Sequence, residues 1–152
     1  MSSSSRVFGP ARLAIGFAAG FLAVLVFHQL AIATMHGLGW TGNPPYRWDP
    51  VGPFGVPRVI NLAFWGGVWG IVFALVANLL TRRAAAFLAA GFVFGVVGPS
   101  FFGWFVLAPL RGQAVAQGWQ IVPLLRGAVI NGMFGLGVAF FLLLAERLRL
   151  GR

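Results

Sequence analysis

Four apolar runs, residues 13–35, 59–80, 84–107 and 127–147, leave this chain little choice of fold. Each holds about 20 residues, and at about 1.5 Å per residue a helix of that length crosses a hydrocarbon core about 30 Å thick. Backbone polar groups in hydrocarbon must be satisfied within the segment, as a helix does and an open strand does not. Strands of a membrane barrel would show about ten residues of in-out alternation, a pattern this chain lacks. Composition agrees: only 9% of residues are charged and 59% are apolar, whereas soluble domains carry about a quarter charged residues. The expected fold is an all-α membrane protein, a four-transmembrane-helix bundle forming one domain over residues 12–152. A disordered tail, residues 1–11, precedes it.

The net charge of +9 comes from eleven arginines against Asp49 and Glu146. In a soluble chain such a balance would point to nucleic acid. Here the arginines stand at the ends of apolar runs, where they read as orientation signals, and nucleic acid is not an expected partner. Arg6, Arg12, Arg82, Arg83, Arg147, Arg149 and Arg152 fall on one side, and Arg47, Arg58, Arg111 and Arg126 on the other. The positive-inside rule then places both termini in the cytoplasm of a bacterial inner membrane, with loops 37–57 and 108–126 outside. With no cysteine in the chain, disulfides and thiolate metal sites are excluded. The first apolar run imitates a secretory signal, but it exceeds the usual 7–15 residues of such a segment and reads as a retained span.

Small residues recur on one face of every span. Gly16, Gly20 and Ala23 share a sector in the first, and Gly66 and Gly70 form a GxxxG pair in the second. Gly91 and Gly95 do the same in the third, and Gly132 and Gly135 share one sector of the fourth. In lipid, where apolar burial gives helices little reason to associate, such faces allow close backbone approach. They predict tight packing of the helices with one another, with a second copy or with another membrane protein. A repeat is also readable. "VINLAFWGG" from Val59 resembles "VINGMFGLG" from Val129, and "AAGF" at 18–21 recurs at 89–92. At offsets of 70 and 71 the chain reads as two copies of a helical hairpin, with Asn61 and Asn131 as symmetry mates.

Few residues could carry chemistry. His28 is the one ionisable side chain well inside an apolar run, and such residues are functional suspects because burying charge in lipid is costly. It is the candidate for a haem or quinone contact, although a neutral, hydrogen-bonded histidine is the simpler reading. Asn61 and Asn131 are candidates for interhelical hydrogen bonds or for a polar pocket. Pro99 removes a backbone donor deep in the third span and predicts a kink, which Ser100 can help to satisfy. Arg47, Arg58, Arg111 and Arg126 are candidates for lipid headgroups or a partner protein. No span holds an Asp, Glu, Lys or Arg at mid-depth, and Asp49, in the first outer loop, and Glu146, at the cytoplasmic end of the fourth span, lie on opposite sides of the membrane. Neither catalysis nor a metal site is therefore expected, and no cofactor is required.

Three functions follow as expectations. The first is a structural or accessory membrane protein that packs through its small-residue faces. The second is a small transporter or channel for an uncharged or lipid-like solute, built on Pro99 and the two asparagines. The third is a haem- or quinone-binding anchor built on His28.

Overall fold

The structure, a computed structural model, describes residues 9–80 and 83–150, with only the backbone for Arg149 and Leu150. Four helices dominate it: α1 (Pro10–Gly37), α2 (Arg58–Leu79), α3 (Ala84–Leu110) and α4 (Ile121–Leu150). All four are long and apolar enough to cross a membrane.

Local chemistry sets the helix ends. Pro10 occupies the first helical position of α1, where its missing N–H costs nothing. The helix therefore starts inside the stretch expected to be a disordered tail, and residues 1–8 of that tail lie outside the described residues. Gly39, at φ 73°, closes the other end of α1, where the Trp40 N–H reaches the Met35 carbonyl at 2.8 Å. α3 and α4 both run further than hydropathy predicts. α3 continues to Leu110, and α4 begins at Ile121 rather than near 127, with Pro123 tolerated in its first turn. The second loop is accordingly residues 111–120, much shorter than expected. It turns through four consecutive left-handed residues, Ala116 to Trp119. The first loop carries a two-residue antiparallel ribbon, with β1 (Pro50–Val51) paired to β2 (Val56–Pro57).

The small-residue faces meet inside the chain. A Cβ on Gly20 would overlap the Gly66 carbonyl, and a Cβ on Gly16 would lie 2.8 Å from the Ala74 Cβ. The backbones of α1 and α2 are thus in direct contact. α3 and α4 repeat this contact residue for residue. A Cβ on Gly95 would overlap the Asn131 carbonyl, and one on Gly91 would lie 2.6 Å from the Ala139 Cβ. The Phe17 ring packs against Gly67, and the Phe92 ring does the same against Gly132.

This register differs from the one read in the sequence. Gly16, Phe17 and Gly20 correspond to Gly91, Phe92 and Gly95, 75 positions on, inside the matching strings "LAIGFAAG" and "LAAGFVFG". Gly67, Gly70 and Ala74 correspond to Gly132, Gly135 and Ala139, 65 positions on. In this frame Asn131 matches Gly66, and Asn61 matches Arg126. Backbone contact, rather than the asparagines, is what the two hairpins share.

The hairpins join through α1 and α4, where Phe27 meets Phe140 and Phe141 and covers Gly137. On the opposite side α2 and α3 are held apart by aromatic rings. Phe73 stacks against Phe87 and Phe94, and Trp69 against Phe94 and Phe102, at centroid separations of 4.9 to 5.9 Å. The helix order around the bundle is therefore α2, α1, α4, α3, tight at three seams and wedged at the fourth.

Candidate functional site

The wedge between α2 and α3 leaves a cleft of about 170 Å³ that reaches all four helices. α1 contributes Val24 and His28, and α2 contributes Trp65, Gly66 and Trp69. Pro99 and Leu107 come from α3, and Asn131 and Phe134 from α4. Backbone irregularity surrounds it. α1 widens into a π segment over Val24–His28, and α3 does so over Gly103–Leu107. Such bulges break the i→i−4 ladder and often accompany functional sites. Both ends of the first segment and the last residue of the second line the cleft.

Pro99 shows why Asn131 sits there. A proline cannot donate to the carbonyl four residues back, which is that of Gly95. The buried Ser100 hydroxyl donates to that carbonyl at 3.4 Å, and the Asn131 Nδ2 donates to Ser100 Oγ at 3.1 Å. Asn131, Ser100 and Gly95 thus form a relay tying α4 to α3 at the kink. Asn131 Oδ1 has no hydrogen-bond partner among the described residues. Asn61 stands apart. It is half-buried on α2, makes no side-chain hydrogen bond among the described residues, does not line the cleft and does not meet Asn131.

His28 Nδ1 lies 3.5 Å from the Gln29 Nε2. His36, two turns on, is bonded through Nδ1 to the Thr41 carbonyl at 3.1 Å and takes no part in the cleft. No cluster of three metal-ligating side chains occurs among the described residues.

Gln29 is the polar residue the sequence reading passed over. Fully buried, it accepts the Tyr46 N–H at Oε1, at 2.7 Å, while the Tyr46 hydroxyl donates to the Leu25 carbonyl, also at 2.7 Å. Together they clip the first loop onto α1, with Tyr46 held at a left-handed φ of 51°. The signal was present in "FHQL": an amide beside His28 in an apolar run is as conspicuous as the histidine.

The four loop-side arginines separate into different environments. Arg47 and Arg58 both grip Asp49, at 2.9 Å and 2.6 Å. The Arg58 hydrogen bond is the main cause holding the Asp49 carboxyl below its ordinary range, with Arg47 adding to it. Backbone bonds from Arg58 to Asp49 and from Val59 to Arg47 seat the first turn of α2 on the same loop. Arg111 is exposed at the end of α3. Arg126, on the second turn of α4, has its Nε buried with no acceptor.

At the other end of the bundle Arg12 donates to the Ala74 carbonyl through Nε, at 2.9 Å, and through a terminal guanidinium nitrogen, fastening α1 to α2. Arg6, Arg82, Arg152 and the side chain of Arg149 lie outside the described residues.

Comparison with protein-family models, with curated proteins and with solved structures finds no match for this chain. Its class rests on its own features: four packed apolar helices, which make it a multi-pass membrane protein.

Proposed function

We propose that this is a small protein of the bacterial inner membrane that holds the compact, uncharged head of a lipid-borne solute in the cleft among its four helices. The observation that carries the reading is convergence. His28, Pro99 and Asn131, three residues suspect on separate grounds, line one cleft bounded by both π segments. No acidic or basic side chain other than His28 lines it, which favours a neutral occupant. Its volume of about 170 Å³ compares with cavities of about 150 Å³ that admit a benzene ring. A quinone-like ring fits that space and a haem does not. An imidazole and a free amide oxygen offer one donor and one acceptor to a carbonyl or hydroxyl. They are suited to holding or passing such a solute rather than transforming it.

The test uses the cleft's own reporters. A short-tailed quinone titrated into purified protein should quench the fluorescence of Trp65 and Trp69 to saturation. His28→Leu should weaken that binding about tenfold, the loss of one good hydrogen bond, and Asn61→Ala should leave it unchanged. Quenching that never saturates, or equal affinity in His28→Leu, sinks the proposal.

One observation favours a second reading, an accessory subunit in contact with another membrane protein or a second copy. α3 is the least enclosed helix, and Val93, Val97 and Phe101 form an exposed ridge along it. The glycine faces are engaged within the chain, so a docking contact would use this ridge instead. Because the chain has no cysteine, Val97→Cys supplies a single cross-linking handle in native membranes. A monomer band alone would remove this reading. The shared packing register of the hairpins supports their origin as two copies of one unit.

A further inference from the structure

We propose that the groove between the loop-side ends of α1 and α4 is a binding site for one anionic phospholipid, its phosphate on Arg126 and one acyl chain along the groove. The groove measures about 530 Å³ and is walled by Met35, Trp40, Val122, Leu125 and Val129, with Arg126 its one charged residue. Arg126 Nε is buried without an acceptor. A guanidinium in that position leaves donor capacity unmet, at a cost that falls when an anion accepts from it.

The wall itself points to an occupant with an apolar tail. Apart from Gly39, the rest of the wall is apolar side chains and the Trp40 ring, which suit an acyl chain. The other loop-side arginines lack this combination. Arg47 and Arg58 already hold Asp49, and Arg111 is exposed. The site is separate from the intramembrane cleft and shares no residue with it.

Native mass spectrometry of the detergent-solubilised protein with dioleoylphosphatidylglycerol tests it directly. One lipid should be retained per chain, dioleoylglycerol should not replace it, and millimolar inorganic phosphate should not displace it. Arg126→Gln should weaken retention about tenfold, the loss of a charge-assisted pair, whereas Arg111→Gln should not. Val129→Trp fills the groove with Arg126 intact and should weaken retention similarly, which keeps the test decisive if Arg126→Gln fails to fold. Unchanged retention in a folded Arg126→Gln or Val129→Trp protein, equal binding of dioleoylglycerol, or displacement by phosphate would overturn the assignment.

Discussion

Asp49 carries two arginines and, through its backbone, the first turn of α2. Its carboxyl titrates below the ordinary range because Arg58, then Arg47, donate to the ionised form. A depressed folded value means the unfolded chain takes up its proton first. The stabilisation is therefore complete above the unfolded value of about 3.9 and is lost as pH falls through the lower folded value. Thermal unfolding in detergent should accordingly be flat near neutrality and drop below about pH 4. Asp49→Asn should lower the melting temperature at pH 7 and flatten the acid limb, and an unchanged limb would remove Asp49 from the account.

Single residues also show what the sequence could disclose. His28, Pro99, Ser100 and Asn131 could be singled out because each is chemically unusual in an apolar helix. Their meeting in one cleft was hidden, since it depends on how far α2 and α3 stand apart. Arg126 could be named as a headgroup candidate alongside three other arginines. Only the fold separates it from two that are paired with Asp49.

At the scale of helices, the glycine faces make a sharp comparison possible within α3. A Cβ at Gly95 would collide with the Asn131 carbonyl, a backbone atom that cannot rotate away, whereas a Cβ at Gly103 would meet nothing within 4 Å. Gly95→Ala must push α3 off α4, at a cost of about 1–3 kcal/mol for overpacking, and should disturb the Ser100 bond to the same residue. Gly103→Ala should be neutral or stabilising by up to about 1 kcal/mol, since alanine is the better helix former. Equilibrium unfolding in mixed micelles distinguishes them, and equal stabilities would refute the backbone-contact register.

The sequence exposed all four small-residue faces through their helical spacing. It left open whether they meet each other or another chain, because periodicity fixes a direction on one helix and says nothing of what lies opposite. The packing correspondence between the hairpins follows a different register from the sequence identities, for a related reason. Identities between Val59–Gly67 and Val129–Gly137 gave an offset of 70, while the packing that equates the hairpins follows Gly67 with Gly132 and Gly70 with Gly135. In a chain rich in Ala, Gly, Phe and Val, chance identities are frequent, so identity and packing need not share a register.

Across the whole molecule, the two hairpins match in their internal packing but not in how they join. Phe27 closes the α1–α4 seam, whereas Trp69, Phe73 and Phe94 prop the α2–α3 seam open, and the cleft lies where that symmetry fails. With an even number of helices in each half, the outer ends of α1 and α4, Pro10 and Leu150, lie on one side of the bundle with Leu79 and Ala84. Which side is a matter of arginines. By sequence, seven flank that end of the spans and four the other, and the excess should hold that end in the cytoplasm. A green fluorescent protein fused after Arg152 should then fluoresce, while alkaline phosphatase inserted after Gly112 should be active. The bias is small enough to be tipped. Replacing Arg82 and Arg83 with serine lowers the count from seven to five against four, and a mixture of both orientations is the expected result. An active phosphatase fused after Arg152 in the unmodified chain would reverse the orientation and move the Arg126 groove to the cytoplasmic leaflet.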